Sequence, residues 1–73
     1  MMTRAEIRAE LLRRNLTLTD MCRMVGASKG LLHYLFEHGP RQYDTKTYAL
    51  AEAIAKAVGK PFDAVWTKGG KHG

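Results

Sequence analysis

The side chains best suited to chemistry lie close together near the middle of the chain. Ser28, Lys29, His33 and Tyr34 place a hydroxyl, an ammonium, an imidazole and a phenol within seven residues. On a helix, His33 and Tyr34 would follow Lys29 by one turn. Such groups donate hydrogen bonds to phosphate oxygens, and an ammonium also donates to the O6 and N7 atoms of guanine. The segment therefore predicts a surface that binds a polyanion.

Catalysis and metal binding have weaker support in the same residues. The sequence groups no serine, cysteine or histidine as a nucleophile beside its base, and it contains no glycine-rich phosphate loop. His33 and Glu37 have a four-residue spacing with His38 adjoining, but a metal site needs more ligands at fixed geometry. We therefore expect no enzyme, no metal and no cofactor.

The single cysteine, Cys22, rules out an internal disulfide framework. A chain of 73 residues without such bridges is typical of a reducing cytoplasm. No apolar run approaches the roughly 20 residues that cross a bilayer. We therefore expect a cytoplasmic protein with no membrane partner. Cys22 belongs to one apolar stripe with Met21 and Val25 and is interpreted as buried, with a redox sensor or a metal ligand as the alternative.

The charge is unevenly distributed along the chain. Twelve lysines and arginines against seven acidic residues give a net charge of +5, which favours a polyanionic partner. The middle of the chain, residues 16–45, is close to neutral. The basic residues concentrate at the two ends: Arg4, Arg8, Arg13, Arg14, Lys60, Lys68 and Lys71. We therefore expect the ends to supply much of the electrostatic attraction.

Capping patterns predict where the first two helices begin. Thr3 and Thr17 are each followed three residues later by an acidic residue, which is the spacing of a capping box. The first helix is predicted over residues 4–14, with Ile7, Leu11 and Leu12 on its apolar side. The second is predicted to end at Gly26, because glycine readily adopts a left-handed conformation. Its apolar side consists of Met21, Cys22 and Val25.

Three further helices follow. Ser28 caps the third, predicted over about residues 28–37, and Pro40 follows its end. The fourth begins at Asp44 or Thr45 and ends before Gly59. Pro61 opens a short fifth helix. The apolar sides are Leu31, Leu32, Leu35 and Phe36 in the third helix, and Tyr48, Ala49, Leu50, Ala53, Ile54, Ala57 and Val58 in the fourth.

The chain is predicted to form one domain over residues 1–66 and a flexible basic tail over 67–73, which includes three glycines. Phe62, Val65 and Trp66 are the apolar residues of the fifth helix. They form either part of the core or a dimer surface, and the core is favoured because so small a chain needs its aromatic residues.

The second and third helices meet the requirements of a pair that crosses over a short turn. Cys22 is the small residue where the helices cross, and Gly26 tolerates the backbone of the turn. The apolar residues that both helices would share are Met21, Val25, Leu32 and Leu35. Together these features predict a helix-turn-helix with a polar outer face on its second helix.

This run resembles the helix-turn-helix of the phage repressor and Cro superfamily and is most similar to Ner-like phage regulators. Residues 16–19, Leu-Thr-Leu-Thr, correspond to a Leu-Ser-Leu-Ser pattern there, and residues 60–66 correspond to a closing segment. The resemblance implies an all-α, compact five-helix lambda-repressor-like domain. It also implies a transcriptional regulator, a repressor of a phage or mobile element, whose third helix enters the major groove. The partners implied are double-stranded DNA with a palindromic operator and a second copy of the chain, at least on DNA.

The resemblance also assigns DNA contacts to individual residues. Hydroxyls at the starts of the two helices would bind phosphate, and polar residues of the third helix would bind bases or phosphates. Gly30 stands where many relatives have a base-reading side chain, and it would let the backbone approach DNA closely. Tyr34 and Tyr43 either stack on sugar and phosphate groups or pack on the fourth helix. The assigned residues are Thr17, Thr19, Ser28, Lys29, Gly30, His33, Tyr34, Arg41 and Lys46.

Two other functions remain open on the same scaffold. One is an antitoxin or anti-activator that holds a protein partner, which the near-neutral motif and residues 62–66 would suit. The other is an excisionase-like architectural factor that bends DNA. Salt-sensitive binding that depends on DNA sequence distinguishes a DNA-binding regulator from the antitoxin or anti-activator. A footprint at an attachment site rather than a promoter identifies the second.

Overall fold

The computed structural model describes residues 2–40 and 45–66, which form five α-helices and no strand. The helices are α1 (Arg4–Leu12), α2 (Leu18–Val25), α3 (Lys29–His38), α4 (Thr45–Val58) and α5 (Phe62–Trp66). The all-α, five-helix expectation is thereby confirmed. Within these two ranges no helix has both the length and the apolar character to cross a membrane. Arg41, Tyr43, Asp44 and the predicted tail, 67–73, lie outside the described residues.

Both predicted capping boxes form, and they fix where α1 and α2 begin. The backbone N–H of Glu6 donates to the Thr3 hydroxyl at 3.1 Å, and the N–H of Thr3 donates to the Glu6 carboxylate at 2.8 Å. Thr17 and Asp20 exchange the same pair of bonds at 3.1 and 2.9 Å. These bonds satisfy N–H groups that have no acceptor inside the helix, and such a cap stabilises a protein by about 1 kcal/mol.

The first helix is shorter than the sequence predicted. It ends at Leu12 rather than at residue 14, because Asn15 adopts a left-handed conformation with φ of 60°. The N–H of Leu16 then donates to the carbonyl of Leu11 at 2.9 Å, which closes the last turn. The placement of Leu12 on the apolar side was also wrong. Its side chain is 54% exposed, since the buried face of α1 is the Ile7–Leu11 row.

The connection between α2 and α3 is short and depends on Gly26. This residue has φ of 70°, as predicted for the end of α2. The N–H of Ala27 donates to the carbonyl of Cys22 at 2.8 Å across the turn. The Cys22 sulfur also lies 3.9 Å from the carbonyl oxygen of Ser28, the residue that caps α3. The two helices are therefore joined by three residues whose backbone geometry is closely determined.

The core is arranged around α4, which packs against each of the other four helices. The prediction placed Leu50, Ile54 and Val58 correctly on its buried side. It missed residues on the flanks of that side, because a helix surrounded by neighbours buries more than one stripe. The missed residues are Thr47, Ala51 and Ala55, all buried, whereas Tyr48, Ala49, Ala53 and Ala57 are half-buried. Small alanines at these positions allow the neighbouring helices to approach closely.

The last helix closes over this core, beginning one residue after Pro61. The Trp66 side chain is 5% exposed, and its Nε1–H donates to the carbonyl of Ala51 at 2.9 Å. Its ring centroid lies 5.6 Å from that of Phe36 on α3. Val65 is fully buried. Of the two interpretations of this segment, the core is therefore the correct one for Val65 and Trp66, while Phe62 is half-buried.

Two arginines of the amino-terminal region share one carboxylate. Glu10 accepts hydrogen bonds from Arg13 at 3.1 Å and from Arg14 at 2.8 Å. The hydrogen bond from Arg14, together with the positive charges of Arg13, Arg14 and Lys60, lowers the pKa of Glu10 below its ordinary 4.5. The charge of these two arginines is thus partly compensated within the chain.

We expect opposite effects from adding a methyl group at two glycines. Gly26→Ala should lower the free energy of unfolding by about 1–2 kcal/mol, because a non-glycine residue is strained at positive φ. Gly30→Ala should raise it by roughly 0.5–1 kcal/mol, because Gly30 is an exposed helical residue. Thermal denaturation followed by circular dichroism measures both. Equal shifts in the two variants would contradict the assigned backbone conformation of Gly26.

The ion pair of Glu10 predicts a specific acid dependence. Because the pKa of Glu10 is lowered in the folded chain, its contribution to stability is complete above the ordinary value of 4.5 and is lost as the pH falls through the lowered value. In Glu10→Gln the free energy of unfolding should therefore decline less steeply in acid. Urea unfolding at a series of pH values measures this slope. Glu52→Gln is the control, since Glu52 makes no ion pair with described residues, and a Glu10→Gln slope equal to the wild-type slope would contradict the pair.

Candidate functional site

The start of α3 presents a hydroxyl and an ammonium to solvent. The Ser28 hydroxyl accepts the N–H of Leu31 at 3.1 Å, which makes it the N-cap of α3 as predicted. The cap uses the hydroxyl as an acceptor, so its O–H can still donate to an anion. Lys29 is exposed, and no carboxylate of the described residues pairs with it. Both side chains are therefore able to contact a ligand at this end of the helix.

Gly30 leaves an open position beside them. It is exposed, and a Cβ built on it would meet only the Ser28 hydroxyl oxygen, at 3.7 Å, beyond its chain neighbours and the backbone of its own helix. This is an ordinary van der Waals distance. The fold therefore leaves room for a side chain here, and nothing around Gly30 requires a glycine.

His33 and Tyr34 lie one turn further along α3 and differ in environment. His33 is exposed. Tyr34 is half-buried, and its ring centroid lies 4.5 Å from that of His38, with the two rings tilted by 40°. The ring contact of Tyr34 with His38 is made within α3. His33 is the more accessible of the two side chains for a base or phosphate contact.

Thr17 and Thr19 lie at the other end of α2 from the α3 residues. Both are exposed, and together with Arg8, Leu12 and Leu18 they line a shallow cavity of ≈ 240 Å³. Arg8 is exposed and makes no ion pair with described residues. The sequence motif did not identify Arg8, because Arg8 precedes the motif and only the folded chain places it at the same cavity as these threonines. The spacing of arginines along α1 carried no signal that distinguishes it.

Lys46 joins the site from α4. It is exposed, and its Nζ lies 3.7 Å from the position that a Cβ on Gly26 would occupy. Lys46 thus lies beside the α2–α3 connection. Its charge is unfavourable to the dipole of its own helix, α4, because it lies in the first turn, but it is favourable to the dipole of α2, whose carboxyl end is nearby. Arg41, predicted to accompany it, lies outside the described residues.

The charges of the site differ from those of the amino-terminal region. Arg23 lies 3.8 Å from the Asp20 carboxylate, and the Arg4 guanidinium lies over the Phe36 ring at 5.2 Å from its centroid. With Arg13 and Arg14 paired to Glu10, the basic side chains of the site that lack a carboxylate partner among residues 2–40 and 45–66 are Arg8, Lys29 and Lys46. Arg8 is therefore the arginine of α1 that both lies at the site and is free of an ion pair with described residues.

Cys22 does not take part in this surface. It is 5% exposed, and burial raises the pKa of its thiol above the ordinary value. A protonated, buried thiol is a poor nucleophile and a poor metal ligand. In the part of the chain that the structure describes, no three His, Cys, Asp or Glu side chains are grouped to hold a metal ion. The contact of Cys22 with Ser28 gives it a packing role between α2 and α3.

Comparison of the chain with protein-family models, with curated proteins and with solved structures gave no match. The resemblance carried by residues 16–36 and 60–66 therefore stays a prediction. The site itself consists of two groups of exposed side chains. One lies at the start of α3 with Lys46 beside it, and the other, at the start of α2, contains Thr17, Thr19 and Arg8.

Proposed function

We propose that the chain is a sequence-specific DNA-binding protein that places α3 in the major groove. The observation that carries the proposal is the outer face of α3, where Lys29, Gly30 and His33 are all exposed and Lys29 has no carboxylate partner among the described residues. A helix of 10 residues is about 15 Å long, and the major groove, about 12 Å wide, admits one α-helix.

The link between α2 and α3 supports this docking mode. A helix-turn-helix requires two helices joined by a short turn and held at a fixed angle. Gly26 supplies the left-handed residue, and the contact between Cys22 and Ser28 packs the end of α2 against the start of α3. In the proposed arrangement α2 crosses the DNA backbone and α3 reads the bases.

Phosphate contacts would come from both ends of α2. Lys46 lies beside its carboxyl end, and Thr17, Thr19 and Arg8 lie at its amino end. The eight residues of α2 separate these two groups by about 12 Å. Two phosphate contacts at that distance would fix the position and orientation of the protein on the duplex. Base contacts from α3 side chains would then determine the sequence preference.

The biological role follows as part of the same proposal. In this proposal the chain acts as a transcriptional repressor of a phage or mobile element, without catalysis and without a cofactor. One α3 covers only a half-site, so two copies bind a palindromic operator. Because Val65 and Trp66 are buried in the core, this pairing does not use them.

The protein-binding alternative rests on the near-neutral charge of the motif and on two exposed apolar side chains. Val65 and Trp66, which had favoured it, are buried, but Leu12 and Met24 are large apolar side chains that are 54% and 68% exposed. Isolated exposed apolar residues are common on monomeric proteins and do not form a docking surface by themselves. The DNA-binding proposal is therefore preferred.

Selection of bound duplexes from random DNA, followed by titration at several salt concentrations, tests the proposal. We expect an enriched sequence and an affinity that falls with salt. Lys29→Ala and Lys46→Ala should each reduce the slope of log K against log salt by about 1, since each removes one contact that releases counterions. Lys56→Ala is the matched control. Lys56→Ala removes one positive charge, as the other two variants do. Lys56 is exposed on α4 and lies at the cavity lined by Glu52 and Phe62, away from the proposed contact surface.

Equal slopes in the three lysine variants would show that the contact is not located at α3 and would contradict the docking mode. The absence of any enriched sequence, with binding lost near physiological salt, would favour the protein-binding alternative.

A base contact from His33 gives a separate expectation. His33→Ala should relax the enriched sequence at one position in each half-site and weaken binding there by about 1–3 kcal/mol. Repeating the selection with the variant measures this directly. An unchanged sequence preference would show that His33 contacts a phosphate or faces solvent. The base contacts would then be made by the other residues of α3.

A further inference from the structure

Gly30 lies on the face of α3 that carries the polar side chains of the site. Lys29 precedes it and His33 follows one turn later, and both are exposed. The volume that a side chain of Gly30 would fill is open, because a Cβ there meets only the Ser28 hydroxyl oxygen at 3.7 Å. Gly30 is helical and has no positive φ, so its backbone does not require a glycine. The surface of α3 therefore lacks a side chain at Gly30, and we call this gap, bordered by His33 and Tyr34 on the next turn, the notch.

The surface of this notch determines what it can recognise. Glycine offers no side-chain donor or acceptor, so the space over its Cα distinguishes ligands by shape and apolar contact. The backbone N–H of Gly30, in the first turn of α3, has no acceptor within the helix and would favour a phosphate instead. Among the groups that base pairs present in the major groove, the C5 methyl of thymine is the apolar one, while the others are hydrogen-bond donors or acceptors. A methyl group is also close in size to the Cβ that the notch lacks.

We propose that the notch at Gly30 receives the C5 methyl group of one thymine in each half-site. Gly30 is then a specificity-determining residue that recognises a base by shape, while the exposed side chains of Lys29 and His33 contact polar groups. This inference rests on the proposed DNA-binding function and adds a base identity to it.

A paired change in protein and DNA tests the inference. The probe is the duplex enriched by selection from random DNA, in which each thymine is replaced in turn by deoxyuracil, which lacks only the methyl group. We expect wild-type protein to bind about threefold to fivefold more weakly with deoxyuracil at one thymine per half-site, because an apolar contact is lost. Gly30→Ala should bind the thymine duplex about tenfold more weakly, because its Cβ overlaps the methyl group.

The decisive result is the combination of the two changes. Gly30→Ala should bind the deoxyuracil duplex better than the thymine duplex at that one position, because removal of the methyl group makes room for the Cβ. Ala5→Ser is the matched control, since it adds one heavy atom at an exposed position of α1 and should give the wild-type deoxyuracil profile. A melting temperature of Gly30→Ala at or above that of wild type shows that the variant is folded.

Two outcomes would overturn the inference, and they differ in what they say about the proposed function. If wild-type protein binds its selected duplex but no deoxyuracil position favours Gly30→Ala, the thymine contact is wrong while DNA binding stands. A uniform loss of affinity in Gly30→Ala would have the same meaning and would indicate close approach of a phosphate instead. If wild-type protein enriches no duplex, the proposed function fails and the inference fails with it.

Discussion

The structure depends on the burial of α4 by all four other helices. A domain of this size buries a smaller share of its surface than a larger domain does, so one central helix has to supply apolar contacts in several directions. Leu50, Ile54 and Val58 provide the large side chains, and Ala51 and Ala55 let neighbouring backbones come close. The bond from Trp66 Nε1 to the Ala51 carbonyl fixes α5 on this surface and satisfies the one polar atom of a buried indole.

This packing has a direct consequence for the candidate site. Because α2 and α3 are both held against α4, the turn at Gly26 is not free to open. Lys46 belongs to α4 itself, and its ammonium lies beside that turn. The scaffold therefore presents the exposed face of α3 at a fixed orientation, which is what recognition of a rigid groove requires. The chain keeps its large apolar residues mainly in the core, and Lys29 and Lys46, which have no carboxylate partner among the described residues, lie near the α2–α3 connection.

Local signals were sufficient to predict much of the fold. Thr3, Thr17 and Ser28 identified three helix starts, because capping depends on residues only three positions apart. Gly26 identified a helix end for a similar reason. Periodicity failed where burial depends on distant neighbours. It placed Leu12 inside, although α1 ends there, and it overlooked Ala51, which is buried because other helices pack around α4 and whose carbonyl accepts the Trp66 indole N–H. The residues of the site divide in the same way. Ser28 and Lys29 could be identified from their positions at the start of a helix, whereas Arg8 joins the site only in the folded chain, where it lines the same cavity as Thr17 and Thr19.

The central claim is that α3 and the ends of α2 form the surface that contacts DNA. Titration of the ¹⁵N-labelled protein with its selected duplex, followed by amide chemical shifts, tests this claim most directly. The account predicts that the largest changes fall at residues 17–19 and 28–34 and at Lys46, with little change in α5. Changes centred on the α4–α5 groove around Lys56 and Phe62, with the amides of α3 unaffected, would contradict it.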